Sequence, residues 1–93
     1  MGKYKIILPE PVKKQITFHH KSGDKAIIKK IEAILTELEN TPYSGIGNPE
    51  QLKHQLSGFW SRRLNKKHRL IYKVEETLIT VFIISAMGHY NDK

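Results

Sequence analysis

The 93-residue chain contains no cysteine, which excludes a disulfide framework and a thiolate metal site and leaves stability to packing. It also has no long hydrophobic run. The longest apolar stretch, "LITVFIISAM" at residues 78–87, is about half of the ~20 residues a membrane-spanning helix needs, and its β-branched content predicts a buried strand. Acidic residues are scarce, nine against 16 Lys and Arg, for a formal net charge of +7. That excess favours a polyanionic partner, be it nucleic acid, an acidic protein or an anionic membrane surface. The opening "MGKYKI" has Ile6 where a myristoylation signal wants Ser or Thr, and no secretory signal is recognisable, so a cytoplasmic protein is expected. No internal repeat or low-complexity segment is present.

What remains is the composition of a folded chain, 39% hydrophobic and 27% charged. A chain of this length buries roughly 60 to 65% of its unfolded surface around one core, so a single domain over residues 1–93 is expected. "KYKIIL" at residues 3–8 alternates basic and apolar residues and predicts a first strand. Pro9 and Pro11 end it, and a short basic helix over residues 12–20 follows, because proline is tolerated in a first helical turn. From Asp24, a good N-cap, Ile27, Ile28, Ile31, Ile34, Leu35 and Leu38 fall at spacings of one, three and four, the apolar stripe of a second helix of about four turns. "NTPYSGIGNPEQ" at residues 40–51 is dense in Gly, Pro, Asn and Ser and predicts a surface loop. A short segment, a hairpin and the apolar strand complete the chain. The order predicts an α+β fold, an antiparallel sheet with two N-terminal helices packed on one face.

The hairpin "FWSRRLNKKHRLIYKV", residues 59–74, carries Arg62, Arg63, Lys66, Lys67, Arg69 and Lys73 and no acidic residue. A three-residue turn at Asn65, Lys66 and Lys67 would pair Arg62 with Leu70 and Arg63 with Arg69. Directly opposed like charges are destabilising. The pairing is explained most simply by an anion held between the arginines, and a phosphate fits because guanidinium groups bind it bidentately. Trp60, Phe59 and Tyr72 in the strands read as core. Adjacent His19 and His20 cannot share one helix face, and with His54 and His68 they give no zinc spacing, so neither metal nor cofactor is assigned.

Cleavage of an RNA phosphodiester by its own 2′-hydroxyl needs a base, cations for a transition state richer in negative charge, and an acid for the departing 5′-oxygen. Glu50 is the candidate base, Arg63, Arg69 and Lys53 the cations, and His89 the acid, beside Tyr90 as a stacking ring. Each has a plainer reading: Glu50 as an exposed carboxylate or helix cap, His89 as a packing histidine, Tyr90 as a core closure.

"TPYSGIGNPEQLKHQLSGFWSRRLNKKHRLIYKV" at residues 41–74, with "HY" at residues 89–90, closely resembles the YoeB branch of the RelE-like toxins, whose pattern is TP-aromatic-x-G-x-G-x-PE-x-LKH-x-LSGFWSRR-x-x-x-x-HR-L-x-Y. The resemblance implies a microbial ribonuclease-like α+β fold and a toxin that cleaves messenger RNA in the ribosomal A site. It implies catalytic roles for Glu50, Arg69 and His89 and substrate binding by Lys53, Arg63 and Tyr90. Its partners would be the ribosome, messenger RNA and an inhibiting antitoxin of YefM type, with a homodimer as a further assembly. A non-catalytic module on the same scaffold, in the manner of ParE-like toxins that act on gyrase, is the alternative.

Overall fold

The isoleucine stripe of the second helix organises the molecule. In the computed structural model, which describes residues 2–88, Ile27, Ile31, Ile34 and Leu38 are buried on one face of helix α2, Lys25–Leu38. Asp24 caps it by accepting the Ile27 N–H at 3.1 Å, satisfying one of the orphan donors of a first turn. The preceding helix α1, Glu10–Ser22, is longer than its sequence suggests. It starts at Glu10 with Pro11 in its first turn, where the missing N–H has no partner to lose, and it runs through Lys21 and Ser22 to its cap at Gly23.

Five strands form one sheet in the order β1-β5-β4-β3-β2. They are β1, Lys5–Ile7, β2, Glu50–Gln51, β3, Phe59–Arg63, β4, Arg69–Glu75, and β5, Thr80–Ser85. All neighbours are antiparallel except β1 and β5, which run parallel. The sheet is therefore mostly antiparallel, with one parallel pair that the sequence did not announce. The connection from β1 to β5, residues 8–79, carries both helices and three strands, ample for the long crossing that a parallel neighbour needs.

Val12 of α1 and the α2 stripe join Leu70, Tyr72, Val81 and Ile83 of the central strands in one core, with Trp60 packed partly against it. Truncating a residue such as Ile34 to Ala at this density costs about 2 to 5 kcal/mol. Two sequence expectations change at strand ends. The apolar stretch at residues 78–87 is not buried throughout, because Leu78 and Ile79 lie in the β4–β5 turn at 63% and 43% exposure. Ile79 closes that turn with its N–H on the Glu76 carbonyl at 3.1 Å, while its own carbonyl receives the Lys5 N–H. Phe59 is only half-buried and lies outside the core, because strand alternation places it on the face opposite Trp60 and Tyr72.

Candidate active site

Asn65 sets the hairpin that carries the basic cluster. Its side-chain oxygen accepts the N–H groups of Lys67 at 2.8 Å and His68 at 2.7 Å, an Asx turn that spans the three basic-rich residues. Leu64 and Asn65 in turn donate to the His68 carbonyl. The resulting register opposes Arg62 to Leu70 and Arg63 to Arg69, as the sequence predicts. Period-two alternation then sends the two neighbouring arginines to opposite faces.

Arg62 enters the core face and is 0% exposed. Its guanidinium donates to Glu37 Oε1 at 2.6 Å and to the carbonyls of Thr41 at 2.7 Å, Ser44 at 2.9 Å and Ile46 at 3.2 Å. Its Nε donates to the Tyr72 hydroxyl, which donates to the Pro42 carbonyl at 2.6 Å. Burial pushes the Tyr72 phenol above its ordinary value, with the Arg62 contacts pulling the other way. The glycine- and proline-rich loop is thus wrapped around one buried cation. A side chain at Gly45 would meet Glu37 Oε1 at 1.9 Å, in a backbone with φ of +128°, so the loop closes only with glycine there. Sequence reasoning gave Arg62 no role. The signal was available, because its pairing with Leu70 already implied a core-facing position that demands a counter-charge.

Arg63 and Arg69 lie on the opposite face, Arg63 exposed and Arg69 half-buried. The last residues of the predicted loop are not loop at all, for Glu50 and Gln51 form β2 and pair with Ser61 and Trp60. Glu50 is thereby seated beside Ser61 in the same open-face row. Arg69 Nη1 lies 3.3 Å from Glu50 Oε1 and donates to Ser61 Oγ at 3.4 Å. Ser61, wholly buried among these groups, is a site residue that the sequence reading did not name. The Glu50–Arg69 pair is long, with side chains 58% and 30% exposed, and such a pair is worth about 1 kcal/mol or less. Breaking it would cost correspondingly little.

The loop is held on this side too, where the Arg63 N–H donates to the Gly47 carbonyl at 2.6 Å. Lys53 lies two residues beyond β2, exposed, at the N-cap of a 3-10 turn, His54–Leu56. Lys73 is paired with Glu75 at 3.0 Å, an acid just past the end of the basic stretch, so it adds less to the cluster than the sequence implied. His89 and Tyr90 lie outside the described residues. Among the described residues, no three His, Asp or Glu side chains converge as a metal site, and His19 is instead a core residue whose Nε2 donates to the Ala86 carbonyl at 2.8 Å.

Fold and site together define a small α+β protein with two opposed arginines and an accessible carboxylate on one face of its sheet. Residues 9–90 match the family model of the YoeB-like toxin of bacterial type II toxin-antitoxin systems. The chain belongs to this family of toxins. It is 48% identical over 67 residues to Toxin YoeB of Escherichia coli O6:H1, covering 72% of this chain and 77% of that one. Among solved structures, the YoeB dimer from Staphylococcus aureus superposes with a TM-score of 0.78 at 34% identity, covering 95% of this chain and 99% of that one. The YoeB-YefM complex from the same organism gives 0.76 at 32% identity, over 94% and 98%.

Proposed function

We propose that this toxin is a ribosome-dependent endoribonuclease that cleaves messenger RNA in the ribosomal A site. The observation that carries the reading is the juxtaposition of Glu50 with Arg69, and of Arg69 with Arg63, on the sheet face opposite the buried Arg62. Glu50 takes the proton of a ribose 2′-hydroxyl, whose oxygen attacks the adjacent phosphorus. The bond from phosphorus to the 5′-oxygen breaks, and His89 supplies the proton that this oxygen takes up. The products are a 2′,3′-cyclic phosphate and a 5′-hydroxyl. Arg63 and Arg69 offset the charge that accumulates on the phosphoryl oxygens, Lys53 steadies the flanking backbone, and Tyr90 stacks on a base. Side chains supply base, cations and acid, so the reaction runs without a metal.

The protein works as one domain in the cytoplasm. A YefM-type antitoxin silences it, as the YoeB-YefM neighbour suggests, and a homodimer is its second assembly, after the YoeB dimer. Among the described residues no helix is long and apolar enough to cross a membrane.

The test is cleavage of messenger RNA on programmed ribosomes, mapped by primer extension beside naked RNA and repeated in EDTA. Cuts confined to the A site and unaffected by chelation are expected. Inhibition of translation without any cut would assign the protein to non-catalytic toxins instead.

A further inference from the structure

The last described residues are gripped from two sides. On one side, helix α1 supplies Gln15, whose Oε1 accepts the Ala86 N–H at 2.7 Å, and His19, whose Nε2 donates to the Ala86 carbonyl at 2.8 Å. On the other, the hairpin supplies consecutive residues that bracket Gly88. The Gly88 N–H donates to His68 Nδ1 at 2.8 Å, and the Gly88 carbonyl accepts the Arg69 N–H at 2.8 Å. The His19 and His68 rings meet edge to face at 4.8 Å, which sets the plane of the His68 imidazole. Gly88 adopts φ of +72°, a left-handed conformation that few residues hold without such support.

We infer that His68 is a positioning residue for catalysis: its Nδ1 lone pair locks Gly88, and so fixes the backbone immediately before His89 relative to Arg69. The same two-residue unit, His68 and Arg69, carries a candidate transition-state cation and holds the backbone that leads to the candidate acid. Adjacent residues of one strand end thereby register Gly88, the residue before the candidate acid, to the cation. The requirement is for an acceptor at the Nδ1 position, not for a charge or a ring. Asparagine can offer Oδ1 at nearly that position, whereas glutamine places its oxygen one bond farther out.

This inference rests on the ribonuclease reading for its kinetic arm alone. The test compares His68→Asn, His68→Gln and His68→Leu with the native protein. It uses single-turnover cleavage and equilibrium binding on programmed ribosomes, together with amide hydrogen exchange at Gly88 in the free protein. His68→Gln and His68→Leu are expected to slow cleavage by roughly ten- to a hundredfold, the penalty of a misplaced catalytic group. Ribosome affinity should stay within about twofold, and Gly88 exchange should speed up at least about tenfold, because its amide loses its hydrogen-bond acceptor. His68→Asn should recover most of the rate and the protection. The two polar variants alone decide the matter if His68→Leu does not fold. Equal behaviour of His68→Asn and His68→Gln, or a loss of affinity with the cleavage step intact, overturns the assignment. A native protein that cuts no RNA while Gly88 exchange responds as described defeats the ribonuclease reading and leaves the clamp standing.

Discussion

Arg62 and Arg63 are neighbours in sequence and occupy opposite electrostatic worlds. The first is wholly buried and makes five hydrogen bonds, among them one to Glu37; the second is exposed and faces Arg69 across the hairpin. One holds the loop that leads to Glu50, and the other is the proposed phosphate contact. Substitutions at the two positions should therefore fail for different reasons.

Arg62→Ala should lower the free energy of unfolding by about 3 kcal/mol, the lower range for breaking a buried ion pair, because Glu37 is one-third open to solvent and can rehydrate. The carbonyls of Thr41, Ser44 and Ile46 lose their donor as well. Urea denaturation measures the change. Arg62→Lys should restore little of it, since an ammonium cannot span the same set of carbonyls as a planar fork.

Arg63→Ala and Arg69→Ala should each reduce single-turnover cleavage on ribosomes by roughly a hundred- to a thousandfold, as for a removed oxyanion donor. Neither should lower the melting temperature by much, because opposed like charges relax and Arg69 loses only a long pair with Glu50 and a long 3.4 Å hydrogen bond to Ser61. A melting temperature that falls in step with activity would make these arginines structural.

Glu50→Gln should keep ribosome binding and slow cleavage by roughly a hundred- to ten-thousandfold, the usual range for a lost general base. Its short strand is held by backbone pairing with Ser61 and Trp60, which the substitution leaves intact. Native-rate cleavage by this variant removes Glu50 from the chemistry.

Stability should respond to acid through Glu76. Hydrogen bonds from the Tyr43 and Tyr4 hydroxyls hold its carboxyl below the ordinary value, the latter at 2.9 Å. A carboxyl depressed on folding contributes stability that is present above its unfolded value, about pH 4, and is lost as pH falls through its folded value. Thermal melts between neutral pH and about pH 3 should show the native protein losing stability along this limb, and Glu76→Gln should flatten it. The Tyr43 phenol is pushed up, first by burial and then by the Glu76 carboxylate, so it stays a donor across that range.

Much of this was legible beforehand because it depends on local rules. The spacing of Ile27, Ile31, Ile34 and Leu38 marks a helix wherever the helix packs, Asp24 announces its start, and a three-residue turn at Asn65, Lys66 and Lys67 dictates that Arg63 meets Arg69. Less legible were the places where distant segments meet. Glu50 and Gln51 look like loop because two residues carry no periodicity, and they become strand only when β3 offers an edge. Arg62 looks like one more surface cation until Glu37, 25 residues earlier in the chain, supplies its partner.

The helical stripe, the hairpin register and the row of basic residues are local properties of the chain, because each follows from the 3.6- and two-residue periods and from turn geometry over a few residues. Which arginine is buried, how Glu50 reaches Arg69, and the convergence of His68 and His19 on residues 86–88 follow from the folded arrangement alone. Those outcomes depend on desolvation and on hydrogen bonds between segments far apart in the chain. A buried charge or backbone amide takes whichever partner the fold brings within about 3 Å, and no local pattern names that partner.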